Sequence, residues 1–138
     1  MGEKFRNRET QQSKNITYQT HGESTNKLHP AFCLRYLENS KYGFPKGNKD
    51  RQVIIMGDIY QMCQKPWQEI VMTPRNKGGK ELIAQNAILR TPRMSISPDE
   101  RYLSFYIGGD KGRMVGCRRD KVFYVFWFDF DFDLYDHG

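Results

Sequence analysis

The chain has 138 residues, a formal net charge of +6 and a mean hydropathy of −0.79, which is enough for one domain with a buried core and too little for two. No apolar run approaches the ~18 residues that cross a bilayer, and Met1 to Asn26 hold no apolar stretch of the secretory kind. Cys33, Cys63 and Cys117 lie far apart with no CxxC pair, so neither a disulfide framework nor a zinc site is expected, and the cytoplasm is the expected compartment.

Residues 1–28 scatter Lys4, Arg6, Arg8, Lys14 and Lys27 among Gln, Asn, Thr and Ser, with few large apolar groups. Such a segment reads as a basic, polar tail, with residues 29–138 as the single domain. Pro30 to Leu37 is the first compact apolar run and predicts a strand of about six residues with Phe32, Leu34 and Tyr36 on one face. Gly43, Pro45 and Gly47 mark a loop. Asn48 or Asp50 then caps a helix running to about Gln64, in which Val53, Met56, Ile59, Tyr60, Met62 and Cys63 recur at helical spacing. Pro66 ends it and suits the first turn of a short second helix, 66–71.

Thr73 to Lys80 is a basic loop. Glu81 to Leu89 reads equally as helix or strand. From Glu100 onward the strand signal dominates: Tyr102–Ile107, a turn at Gly108–Gly112, a second run at 113–117, a polar turn at 118–121, and Val122–Phe128. Seven apolar residues in a row cannot alternate between core and water, so the 122–128 strand is expected to be central and covered on both faces. Beyond it, Phe128, Phe130, Phe132 and Leu134 alternate with Asp129, Asp131 and Asp133, which predicts a strand leaving the core with its aspartates in water. That alternation accounts for the aspartates without a bound cation, and no metal or other cofactor is expected. Together these elements predict an α+β domain with a small, mostly antiparallel four-stranded sheet and two helices packed on one face.

Charge is uneven. Lys121 against Asp129, Asp131, Asp133 and Asp136 leaves residues 121–138 at −3 and residues 1–120 at +9. A basic body suits nucleic acid or another acidic partner. The residues placed to meet phosphates are Arg75, Lys77, Lys80, Arg93, Lys111, Arg118 and Arg119, in or beside loops. Arg113, directly after the glycine turn, could hold a phosphate through both arms of its guanidinium. Of the three histidines, His137, beside Tyr135, is the one best placed for proton transfer.

The order of strand, helix, helix and closing meander, with a Gly-rich turn, a central Arg, an aromatic strand and a terminal Tyr, resembles the RelE-type fold of bacterial toxin ribonucleases. The text from Gly112 to Gly116, Val122 to Asp129 and Leu134 to Gly138, with His29–Cys33 and Trp67–Ile70, is also similar to an uncharacterised bacterial family over about residues 29–138. The first resemblance implies a ribonuclease toxin or RNA-binding protein acting on translated message, with RNA or the ribosome as target and a cognate antitoxin as partner. Arg113 would then stabilise phosphate charge, Tyr135 or His137 would move a proton, and Lys111 would assist. The other expectation is a non-enzymatic inhibitor of the mobile-element or phage kind, docking on a protein or nucleoprotein complex.

Overall fold

The computed structural model describes residues 25–77 and 79–136. Its sheet is built from β1 (Ala31–Cys33), β2 (Lys80–Ile83), β3 (Tyr102–Ile107), β4 (Gly112–Arg119) and β5 (Val122–Asp129), with α1 (Lys49–Cys63) and α2 (Trp67–Met72) between β1 and β2. The sheet has five strands in the order β1-β5-β4-β3-β2, one more than the sequence predicts, and it is mixed. The meander β3-β4-β5 is antiparallel as expected, and β2 adds antiparallel to β3, but β1 lies parallel to β5. The open segment 81–89 resolves into strand followed by a short 3-10 turn at Gln85–Ala87. The first strand is half as long as expected, because the chain turns after Cys33 and Leu37 donates back to the Leu34 carbonyl.

Both helices cover one face of the sheet. The Asn48 side chain accepts from the Arg51 amide at 3.1 Å and starts α1. Trp67 and Ile70 of α2 join Ile55 and Met62 of α1 over Phe105, Ile107, Met114, Phe123, Val125 and Phe128. Trp67 anchors this layer: its ring meets Phe105 and Phe123 at centroid distances of 6.4 Å, and its indole N–H donates to the Lys121 carbonyl at 2.8 Å. A buried Trp with its polar atom satisfied combines large apolar burial with no orphaned donor.

Loops cover the opposite face. Tyr42, Ile83, Ile88, Leu134 and Tyr135 pack on Tyr102, Val115, Cys117, Phe126 and Trp127. Glu38 ties this layer together, accepting the Trp127 indole N–H at 2.5 Å and both arms of Arg90. The long apolar run of β5 is thus buried on both faces, with a refinement. Val115 pairs with Trp127 while Gly116 pairs with Val125, so Phe126 is an extra residue. This bulge turns Phe126 and Trp127 toward the same face, which simple alternation would have separated.

The aspartate alternation has a different cause from the one expected. β5 ends at Asp129, and the chain then turns over the end of the sheet, with Phe132 at φ 59°. Asp129 is fully buried, not solvated, and its carboxylate accepts the amides of Asp133 (3.3 Å) and Leu134 (3.0 Å). Phe130 stays with the helix-side core, whereas Leu134 crosses to the loop side. Of the segment 1–28, residues 1–24 lie outside the described residues. Thr25 is buried, and Thr25 and Asn26 accept from Arg118. No helix among the described residues is long and apolar enough to cross a membrane.

Candidate functional site

Lys80 of β2, Ile107 of β3, Gly112 of β4 and Asp129 of β5 lie at one end of the sheet, because the strands pair Lys80 with Phe105, Ile107 with Gly112 and Arg113 with Asp129. Side-chain alternation then sends Glu81, Ser104, Tyr106, Arg113 and Asp129 to the loop-covered face at this end. The segment after β5 folds back and lays Tyr135 into the same group. A charged and hydroxyl-bearing cluster therefore stands where the loop-side core thins out.

Tyr135 is its pivot. The phenol oxygen is 2.8 Å from the Ser104 hydroxyl and donates to Glu81 Oε1 at 3.4 Å. Arg75 in turn donates to Glu81 Oε2 at 2.9 Å. Burial, and beyond it the Glu81 carboxylate, push the Tyr135 phenol above its usual range, against the opposing pull of the Ser104 hydrogen bond and of Arg113. The phenol therefore keeps its proton at neutral pH.

Arg113 stands two residues along the sheet from Ser104, opposite Tyr106 in the ladder, a step of about 7 Å. Its side chain is only 7% exposed. The guanidinium carbon lies 3.6 Å from the Tyr106 ring centroid and 5.0 Å from that of Phe132, a cation held on aromatic faces. Nη1 donates to the Gly112 carbonyl at 2.9 Å, Nη2 is 3.7 Å from the Asp110 carboxylate, and Nε is buried with no hydrogen-bond partner among the described residues. The group is thus an embedded charge, its fork engaged locally, not an open clamp over the sheet.

The basic residues divide between the two ends. Arg75, Lys77, Lys80 and Lys111 belong to the Arg113 end, where the 75–77 turn leads into β2 and Lys111 leads into β4. Lys77, Lys80 and Lys111 have no acidic partner among the described residues. Arg118 and Arg119 lie five and six residues further along β4, about 17–20 Å away. There Arg118 stacks on Trp67 at 4.4 Å and donates to the Asp120 carbonyl, while Arg119 pairs with Glu100. Arg93 donates to the Leu37 carbonyl at 2.9 Å in the loop layer. These three do not join the Arg113 end. His137 lies outside the described residues.

The C-terminal aspartates do not crowd this cluster as bare charges. Asp131 pairs with Lys41 and Arg51, and Asp133 pairs with Lys41 and accepts the Tyr42 hydroxyl at 2.9 Å. Asp129 is occupied by backbone amides. Sequence reasoning missed Glu81 and Ser104, and only their ladder pairing, Glu81 opposite Ser104, could have joined them to Tyr135. No group of three or more His, Cys, Asp or Glu side chains suited to a metal ion occurs among the described residues. Comparison with protein-family models, with curated proteins and with solved structures finds no match for the chain.

Proposed function

We infer that the chain is a RelE-like RNA-binding protein that cleaves ribosome-bound message at the Arg113 end of its sheet. The observation that carries this reading is the convergence of Arg113 and Tyr135, 22 residues apart in sequence, on one face with Glu81 and Ser104. Cleavage of RNA by attack of a 2′-hydroxyl on the adjoining phosphate needs a proton acceptor for that hydroxyl, a donor for the leaving oxygen and a cation for the phosphate charge. Glu81 is a carboxylate beside the phenol, neutral Tyr135 is a donor, and Arg113 is a fixed positive charge in a poorly solvated setting, where its field is strongest. Lys77, Lys80 and Lys111 supply a rim for the phosphate backbone.

The run of β1, two helices and a closing antiparallel meander supports the same reading, with β2 as a strand beyond the order on which the resemblance rests. The test is to incubate the protein with translating ribosomes and map message ends, alone and with Arg113→Lys and Tyr135→Phe. New ends made by the parent chain and reduced at least tenfold by either variant support it. No new ends would sink it.

One observation favours a second reading, a non-enzymatic protein-binding role. Val53, Met56 and Tyr60 line the outer face of α1 and are 70%, 59% and 61% exposed. An apolar stripe of this kind on a helix suits a protein partner, an antitoxin or a target to be inhibited. A partner that survives nuclease treatment and is lost on Met56→Asp would favour this reading.

A further inference from the structure

Two local costs meet at one contact beside Arg113. Phe132 holds φ 59°, a left-handed backbone that a bulky residue rarely adopts, and Arg113 buries its Nε without a partner among the described residues. The turn that carries Phe132 is closed by Asp129, which accepts the Asp133 and Leu134 amides, and it holds the strained residue against the embedded cation. Outliers that cluster in this way point to a ligand-facing surface more than to packing.

The arrangement also states what it presents. Phe132 is an aromatic ring still 38% exposed, at the rim of the cluster. The Arg113 guanidinium lies 5.0 Å from the centroid of that ring and 3.6 Å from the centroid of the Tyr106 ring. The 108–111 turn that brings Asp110 to Arg113 also carries Lys111. A planar, electron-rich group with an attached anion matches an exposed ring backed by a cation and edged by a lysine, and an unpaired nucleotide is such a group.

We propose that Phe132 is a stacking platform for an unpaired base of single-stranded RNA, held in place by Arg113 and Tyr106, with the adjoining phosphate directed to Lys111. The proposal rests on the RNA reading above and adds to it a base-contacting residue and a preference for unpaired strands. Stacking tolerates any base, so purines are favoured over pyrimidines only through their larger faces.

Fluorescence anisotropy with 5′-labelled twelve-nucleotide oligoadenylate, oligouridylate and a duplex of the two tests it. Oligoadenylate is expected to bind best and the duplex least. Phe132→Ala is expected to weaken oligoadenylate binding about tenfold, and Phe132→Trp to preserve it, with indole emission quenched on addition of oligonucleotide. Phe132→Gly removes the ring while accepting the positive φ, so it guards against misfolding as the explanation and is expected to match Phe132→Ala. Parent-like binding by Phe132→Ala and Phe132→Gly, or no quenching in Phe132→Trp, would overturn the platform while leaving message cleavage on ribosomes to stand. Absence of both oligonucleotide binding and new message ends would overturn both readings.

Discussion

The Tyr135 hydroxyl lies 2.8 Å from the Ser104 hydroxyl, which ties the segment after β5 to the strand two places away across the sheet. Removing that one oxygen leaves Ser104 and Glu81 without their shared partner while keeping the ring packed. Tyr135→Phe is therefore expected to cost about 1 kcal/mol in urea unfolding, whereas Tyr135→Ala also opens a cavity and costs about 3–5 kcal/mol.

Alkaline pH probes the same group. Burial, the largest cause in each case, raises the phenols of Tyr42, Tyr102 and Tyr135. A raised acid favours the neutral, folded form, so its stabilisation is whole below the unfolded value of about 10 and is lost as pH climbs through the higher folded values. The urea midpoint is expected to fall above about pH 10, and to fall less steeply in Tyr135→Phe.

Cys117 follows the same sign. Burial pushes its thiol up to about 11, so the folded chain holds it as an unreactive thiol well past the ordinary range. A thiol reagent at pH 8 is expected to modify Cys117 only on unfolding. Fast labelling at that position in the folded protein would contradict the packing described for β4.

Gly116 is set by the bulge. A β-carbon there would overlap the Tyr124 carbonyl oxygen, which is backbone and cannot swing aside. Gly116→Ala is expected to cost about 2 kcal/mol or more, at the upper end of overpacking effects. Gly109→Ala meets no neighbour within 4 Å but must accept φ +75°; it should cost about 1 kcal/mol.

The meander was legible because it is local. Aromatic and β-branched runs separated by Gly108 and Gly109 mark β3 and β4 without knowledge of the rest, and Asn48 marks the start of α1 in the same way. The parallel pairing of β1 with β5 joins residues some ninety positions apart, and no local pattern carries that choice. Apolar residues nearly encircle α1, so helical spacing could not tell the buried Ile55 from the exposed Val53 and Tyr60. The aspartates misled because a turn capped by Asp129 and a solvated strand share the same alternation.

Within the candidate site, Arg113 and Tyr135 were legible as individual residues of suggestive type. Their surroundings were not. Glu81 sits at the head of an apolar run, and Ser104 sits inside an aromatic strand, where each looks like a surface or packing residue until the ladder sets them opposite one another. Equally, the seven cations named from loop positions looked like one surface, but the length of β4 separates Arg118 and Arg119 from the Arg113 end.

That separation gives a test of the proposed RNA contact at the Arg113 end. Charge reversal at Lys77, Lys80 and Lys111 is expected to weaken oligoadenylate binding progressively. The slope of log affinity against log salt should fall by about 0.7 for each lysine removed. Arg93→Glu, in the loop layer away from this end, should change neither.

The most direct measurement is the map of message ends on translating ribosomes, made with the parent chain, Arg113→Lys and Tyr135→Phe. New ends are expected from the parent and at least a tenfold loss in each variant, with folding verified by the urea midpoint. Unchanged message in the presence of folded parent protein would contradict it.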